Sequence, residues 1–318
     1  MPHLERPAAL NLFYQISFNL LKAETTTNVV NEVSMSRIAY VNGRYIAHSQ
    51  ASVHVEDRGY QFGDGIYEVV LVVNGQPVDY DGHLERLYKS LNSIRMDAPI
   101  SDAALRLIIA RMIRLNQLVN GTIYIQVTRG VARRDHKFPS ASWPALVMTA
   151  KPLAHPPAAS QNGVAAITLA DERWARRDIK TIQLLPNCLA KQQAAEAGAF
   201  EAILVMPDGS VSEGSSSNVW ILTDKGELIT RNANENILNG ITRRSVQRLA
   251  GEHQLKVIER PFDVEEMLNA REVFLTSATS IVTAVTKIND TVIANGQVGT
   301  VSAALREDYL RYAKGGTA

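Results

Sequence analysis

The sequence holds one cysteine, Cys188, so no disulfide can close within a single chain. That count suits a reducing, cytoplasmic compartment. An excess of either charge is also missing: 33 Lys and Arg face 32 Asp and Glu, a formal net charge of +1. Such balance gives no electrostatic case for nucleic acid or for an anionic membrane. No apolar run approaches the ~20 residues of a membrane-spanning helix. The fairly apolar stretch 10–21 is broken by Asn11, Gln15, Ser17 and Asn19, and no small-residue cleavage site follows it, so it reads as a poor signal peptide. The seven histidines are scattered without ligand spacing, and no metal is expected. There is no internal repeat and no low-complexity tract.

What is present is a chain of 318 residues, long enough for two domains of ordinary size. Residues 1–34 read as a loosely ordered N-terminal extension. From Arg37 a hairpin pattern runs across Asn42-Gly43 to Ala47, and Tyr67 to Val73 is a β-rich run closed by Asn74-Gly75. Leu84, Leu87, Leu91 and Ile94 recur at helical spacing, as do Leu105, Ile108, Ile109, Met112 and Leu115 after Ser101-Asp102. Thr122–Thr128 and Ala145–Thr149 are further strands. These elements make residues 35–150 a small α+β domain. Pro152, Pro156, Pro157 and Gly163 mark 151–163 as a linker. Residues 164–318 form a larger second domain. In it Val164–Leu169, Ala202–Val205, Asn218–Leu222 and Glu272–Leu275 read as strands. Asn187–Ala197, ended by Gly198, and Gly240–Gly251 read as helices.

The chemistry sits in the second half. Lys180 closes Asp178-Ile179-Lys180, with Arg176 and Arg177 just before it. A lysine forms an imine with an aldehyde when its amine is uncharged part of the time, which burial and a nearby cation favour. Locally, a solvated surface lysine would look the same. Glu213 lies between a strand and the small-residue turn Gly214-Ser215-Ser216-Ser217. There a carboxylate can pair with a pyridinium nitrogen while a flat ring lies close to the backbone. A polar surface turn reads equally from these residues alone. Asn239-Gly240-Ile241-Thr242-Arg243 runs straight into a helix, whose free amides form an anion site. Ser277-Ala278-Thr279 supplies a second set of donors, and Arg86 a forked fixed charge. Together these are the minimal equipment for pyridoxal 5'-phosphate (PLP), whose ring acts as an electron sink.

In combination and in order, these motifs resemble the fold type IV PLP enzymes. That family includes branched-chain aminotransferases, D-amino acid aminotransferases and aminodeoxychorismate lyase. The resemblance covers nearly everything from Met35 onward. It rests on Asp57-Arg58-Gly59-Tyr60-Gln61-Phe62-Gly63-Asp64-Gly65-Ile66-Tyr67-Glu68, His83-x-x-Arg86-Leu87, Asp178-Ile179-Lys180, the Glu213 block and Leu238-x-Gly240-Ile241-Thr242-Arg243. It implies a two-domain α+β and α/β fold. It makes Lys180 the cofactor lysine and Glu213 the pyridine-nitrogen partner. Arg86, Ile241, Thr242 and Thr279 would hold the phosphate, and Leu238 would pack on the ring.

The segment Arg129 to Pro139 looks like the loop of the D-amino acid members. There Arg134 and His136, with Tyr67, would bind the substrate carboxylate. Arg133 stands beside Arg134 as a second cation. The resemblance also implies that Arg134 and His136 reach a neighbouring subunit's site, so the active unit would be a homodimer. One departure is Ile281, where the D-specific members carry an acidic residue. The expected reaction is a ping-pong transfer from a D-amino acid such as D-alanine to 2-oxoglutarate or pyruvate, with Lys180 as base and acid. The alternatives are a branched-chain L-amino acid aminotransferase, which would share every cofactor residue, and aminodeoxychorismate lyase. A non-catalytic PLP-binding protein would need neither Lys180 nor Glu213.

Overall fold

Asn42-Gly43 and Asn74-Gly75 both take positive φ, 45° and 90° in the first pair, 51° and 74° in the second. Asn and Gly tolerate that region, and the tight turns it makes match the twist of paired strands. In the computed structural model, which describes residues 37–153 and 162–315, each pair closes a two-residue hairpin. Strand β1 (Ile38–Val41) returns as β2 (Arg44–Ala47), and β3 (Gly65–Val73) returns as β4 (Gln76–Pro77). With β5 (Gly121–Thr128) and β6 (Ala145–Pro152) they form a six-stranded antiparallel sheet among the described residues, ordered β2-β1-β6-β5-β3-β4. The extension expected over residues 1–34 and the middle of the 151–163 linker lie outside the described residues.

Helix α1 (Arg58–Phe62) is a single turn started by Asp57, whose Oδ1 accepts from Gly59 N at 2.8 Å, and ended by Gly63 at φ 67°. Helices α2 (Tyr80–Ser93) and α3 (Asp102–Leu115) carry the two apolar stripes read in the sequence. Leu84, Leu87 and Leu91 of the first, with Leu105, Ile109 and Met112 of the second, are buried with Val70, Val72, Ile123 and Ile125 of the sheet. Burial of each such side chain is worth about 1.5–3 kcal/mol.

The second sheet is built from β7 (Val164–Ala170), β8 (Glu201–Val205), β9 (Val211–Gly214), β10 (Asn218–Leu222), β11 (Glu227–Thr230), β12 (Lys256–Glu259), β13 (Glu272–Ser277), β14 (Ile281–Ile288) and β15 (Thr291–Val292). Its order is β12-β11-β10-β13-β14-β7-β8-β9, with β15 paired to β14. Three neighbouring pairs are parallel and the rest antiparallel. Around it lie α4 (Leu185–Glu196), α5 (Ile241–Glu252), α6 (Val264–Leu268) and α7 (Thr300–Ala313).

β10 is apolar at every position after Asn218 because both of its faces are covered. Side chains alternate across a strand. Val219 and Ile221 accordingly join one core with Phe262 and Met267. Trp220 and Leu222 join the other with Leu249 and Leu305. Trp220 stacks on its cross-strand partner Phe274 at 5.6 Å. Leu71 of β3 belongs to that second core, so the first sheet is tied directly to the layer beneath the second.

Candidate active site

The beginning of β3 registers the lysine. Tyr67 N donates to Lys180 O at 2.9 Å, and Ile182 N donates to Gly65 O at 3.1 Å. Ile66 and Thr181 thereby form an isolated antiparallel bridge. Lys180 N also donates to Ser90 Oγ of α2 at 3.3 Å. With its backbone held on both sides, Lys180 places Nζ 4.2 Å from the Tyr67 ring centre, a geometry that attracts an ammonium group.

Glu213 borders the same cavity as Lys180 and is buried. Its Oε2 accepts from Asn218 Nδ2 at 3.0 Å and from Leu238 N at 3.1 Å, and its Oε1 lies 2.5 Å from Arg173 Nη1. Burial pushes the Glu213 carboxyl above its ordinary value, while Arg173 and the Leu238 amide pull it down. The serine turn after Glu213 is held from behind. Glu201, at the start of β8, accepts from the hydroxyls of Ser215, Ser216 and Ser217.

The start of α5 also lines the cavity. The first intrahelical bond runs from Arg244 N to Gly240 O at 3.0 Å, which leaves the Ile241 and Thr242 amides without a partner inside the helix. A side chain at Gly240 would overlap Asn218 Oδ1, so glycine permits the loop to lie against Asn218. Arg86 lies near this helix start, with Nη1 donating to Asn239 O at 3.1 Å.

The cavity has a volume of about 720 Å³. Of the residues singled out in the sequence, Lys180, Glu213, Arg86, Leu238, Ile241, Thr242 and Tyr67 border it. Thr276, Ser277 and Ala278 also border it, whereas Thr279 is exposed just beyond. Arg134 and His136 are exposed and do not border this chain's own cavity. They stand against Phe62 of α1, which does border it, with Arg134 5.1 Å and His136 5.6 Å from the Phe62 ring centre. Ile281 is buried among Phe274, Val282 and Leu305 at φ 61° and is likewise not at the cavity, so the departure noted there lies in a core.

Four participants escaped the sequence reading. Glu68 is buried against Arg86, Glu201 anchors the serines, and Asp171 with Arg173 stands behind Glu213. Glu68 follows Tyr67 within a quoted motif and was the most findable. The others are ordinary charged residues until the strands meet.

Residues 65–288 match the family described as Amino-transferase class IV. The chain is 44% identical over 273 residues to a D-alanine aminotransferase from Bacillus licheniformis, covering 85% of this chain and 96% of that one. The chain belongs to the class IV aminotransferases. A branched-chain amino acid aminotransferase from Escherichia coli superposes with a TM-score of 0.82 at 23% identity, covering 89% of this chain and 96% of that one. At that identity the likeness speaks for the fold alone. The T.th. branched-chain amino acid aminotransferase, solved with pyridoxamine 5'-phosphate, superposes with a TM-score of 0.81 at 26% identity, covering 88% and 95%. This class IV chain thus has the fold type IV architecture. Among its described residues no helix is long and apolar enough to cross a membrane.

Proposed function

We propose that the chain is a PLP-dependent D-amino-acid transaminase, moving the amino group of a D-amino acid such as D-alanine to 2-oxoglutarate or pyruvate. The observation that carries this is the convergence of Lys180, Glu213 and the start of α5 on one cavity, in a chain whose relatives over most of its length are D-alanine aminotransferases. The residues present fit PLP. An amine, a buried carboxylate and an anion-binding helix start line one cavity, the chemistry that an aldehyde, a pyridine nitrogen and a phosphate require. The phosphate would be held by Arg86, Ile241 and Thr242, with Thr279 at the margin, and Leu238 would pack on the ring. When bound, PLP supplies an aldehyde that takes up amines and a ring that delocalises carbanion charge.

Lys180 Nζ, 4.2 Å from the Tyr67 ring centre, removes the α-proton of the amino acid and later returns a proton, serving as base and then as acid. Glu213 supplies the negative charge that holds the ring nitrogen protonated. Residues 35–150, with the first sheet, are read as a smaller domain and residues 164–318, with the second, as a larger cofactor-binding one, joined by the 151–163 linker. The cytoplasmic reading rests on the single cysteine, which suits a reducing compartment.

The substrate carboxylate is gripped by Tyr67 together with Arg134 and His136 of a second copy of the chain. Support comes from their placement: both are exposed on this chain, outside its own cavity, yet on a braced loop. Arg58 Nη1 donates to Asp135 O, between them, at 2.6 Å, and Arg129 lies 3.7 Å from the Phe138 ring centre. Such a loop is poised to project a guanidinium and an imidazole into a neighbour.

Two assays test the proposal. D-alanine and L-leucine are offered with 2-oxoglutarate; turnover of D-alanine is expected, and turnover of L-leucine alone would assign the branched-chain reaction instead. Lys180→Ala and Arg134→Met subunits are then mixed. If Arg134 acts across a homodimer, activity reappears in the mixture, because one site regains both residues. Two variants that stay inactive when mixed would refute the shared site.

A further inference from the structure

Asp171 directly follows β7 and Ser212-Glu213 lie in β9, so the sheet brings them near the loop that carries Arg173 and Arg177. The side chains of all four charged residues are at most 9% exposed. Arg173 reaches two carboxylates at once. Its Nη1 lies 2.5 Å from Glu213 Oε1, while Nε and Nη2 donate to Asp171 Oδ1 and Oδ2 at 2.9 and 2.8 Å. Arg177 Nε lies 2.9 Å from Asp171 Oδ2, and Ser212 Oγ donates to the same oxygen at 2.7 Å. Two guanidiniums and two carboxylates make the cluster formally neutral. Arg231, which follows β11 and donates to Val211 O at 2.9 Å, feels the charges of Asp171 and Arg177, and Lys180 borders the same cavity as Glu213.

We propose that Arg173 is a positioning residue that holds Glu213 as an anion aimed into the cavity, and that Asp171 locks Arg173 in that pose. The inference rests on the reading of Glu213 as the ring-nitrogen partner. Its logic is a balance of charges. The other donors on Glu213, Asn218 Nδ2 and Leu238 N, are neutral and both act on Oε2. Arg173 is the cation in direct contact, on Oε1. Without it, burial would leave a neutral acid, which cannot hold a pyridinium. A free guanidinium at this spot would repel the protonated ring. Asp171 removes that objection by taking two arms of Arg173 in a forked grip.

The test loads the enzyme with PLP carrying nitrogen-15 in the ring. It follows the ring-nitrogen chemical shift against pH, together with the coenzyme dissociation constant. The wild-type chain is expected to show a protonated nitrogen through neutral pH. Arg173→Met is expected to show a neutral one, with the coenzyme bound about tenfold more weakly. Arg173→Lys should recover part of both. Asp171→Asn, which keeps Arg173 but frees its arms, should lower the pH at which the nitrogen loses its proton. It also serves where Arg173→Met does not fold. A folded Arg173→Met, or Asp171→Asn, with the wild-type shift, pH profile and coenzyme affinity overturns the inference. Glu213→Gln separates the two levels. If it keeps the nitrogen protonated, the reading of Glu213 falls and this inference with it; if it alone loses the proton, only the role of Arg173 falls.

Discussion

Arg86 and Glu68 form a two-pronged buried pair, with Nε and Nη2 of the arginine each 2.8 Å from a different carboxylate oxygen. His83 Nδ1 adds a third contact at 2.7 Å. Arg86, which borders the cavity beside the start of α5, is thus held by an acid of β3, next in sequence to Tyr67. Breaking such a pair by removing one partner costs about 3–5 kcal/mol, because the survivor stays buried. Glu68→Gln should lower the melting temperature and weaken coenzyme retention together. Loss of one without the other would separate the pair's two roles.

Acid stability follows from the same pair. Burial works against the Glu68 charge, but Arg86 and His83 more than compensate and hold it down to about 2 from an ordinary 4.5. Arg173 does the same for Asp171, down to about 2 from 3.8. A carboxyl depressed on folding stabilises the native state above its unfolded value, and that contribution is lost as pH falls towards the folded value. For Glu68 the loss is on the order of 3 kcal/mol. Urea midpoints should be flat above about pH 5 and fall steeply between pH 4.5 and 2, and the fall should be shallower in Glu68→Gln.

Lys180→Ala removes the amine beside Tyr67. Turnover should drop below detection, and the visible absorbance of the bound coenzyme should change, while far-ultraviolet circular dichroism stays native. Retained transamination would refute the role given to Lys180.

Gly240→Ala tests the fit between the start of α5 and Glu213. The new methyl would overlap Asn218 Oδ1, and Asn218 Nδ2 bridges Glu213 Oε2 and Leu238 O at 3.0 and 2.9 Å. Displacing it costs a hydrogen bond to a charged group, about 1.5–3 kcal/mol. Coenzyme affinity should fall roughly tenfold or more. Equilibrium dialysis showing unchanged affinity would mean that Asn218 moves without consequence.

Arg58→Met should act on substrate and spare coenzyme. Arg58 holds Asp135 O and Asp64, and so braces the loop that presents Arg134 and His136. KM for amino and oxo acids should rise several-fold, with PLP affinity near wild type. A variant that loses PLP first would show that Arg58 serves the cavity wall rather than the loop.

Much of the site was legible because its motifs are short and locally structured. Gly240-Ile241-Thr242 announces a helix start by its residue types, and that start is where the amides are free. Lys180 and Glu213 stood out through their order along the chain and the resemblance that order carried. Arg173 did not. A lone arginine in a polar segment reads as solvated, and its partner Glu213 is separated by 40 positions. Glu201 was hidden for the same reason: its three serine partners are local to one another but 14 to 16 positions away.

The sequence by itself determined the elements and the chemical kit: hairpins at Asn-Gly pairs, helices where apolar residues recur, an amine, an acid and a helix start. These follow from short-range forces, namely backbone sterics, local hydrogen bonds and hydrophobic periodicity. Only the tertiary structure decided which charges neutralise which. Whether a carboxylate is ionised depends on burial and on cations a few ångströms away. Those distances are set when β7, β8 and β9 pair, and when the loop at Arg173 folds against them.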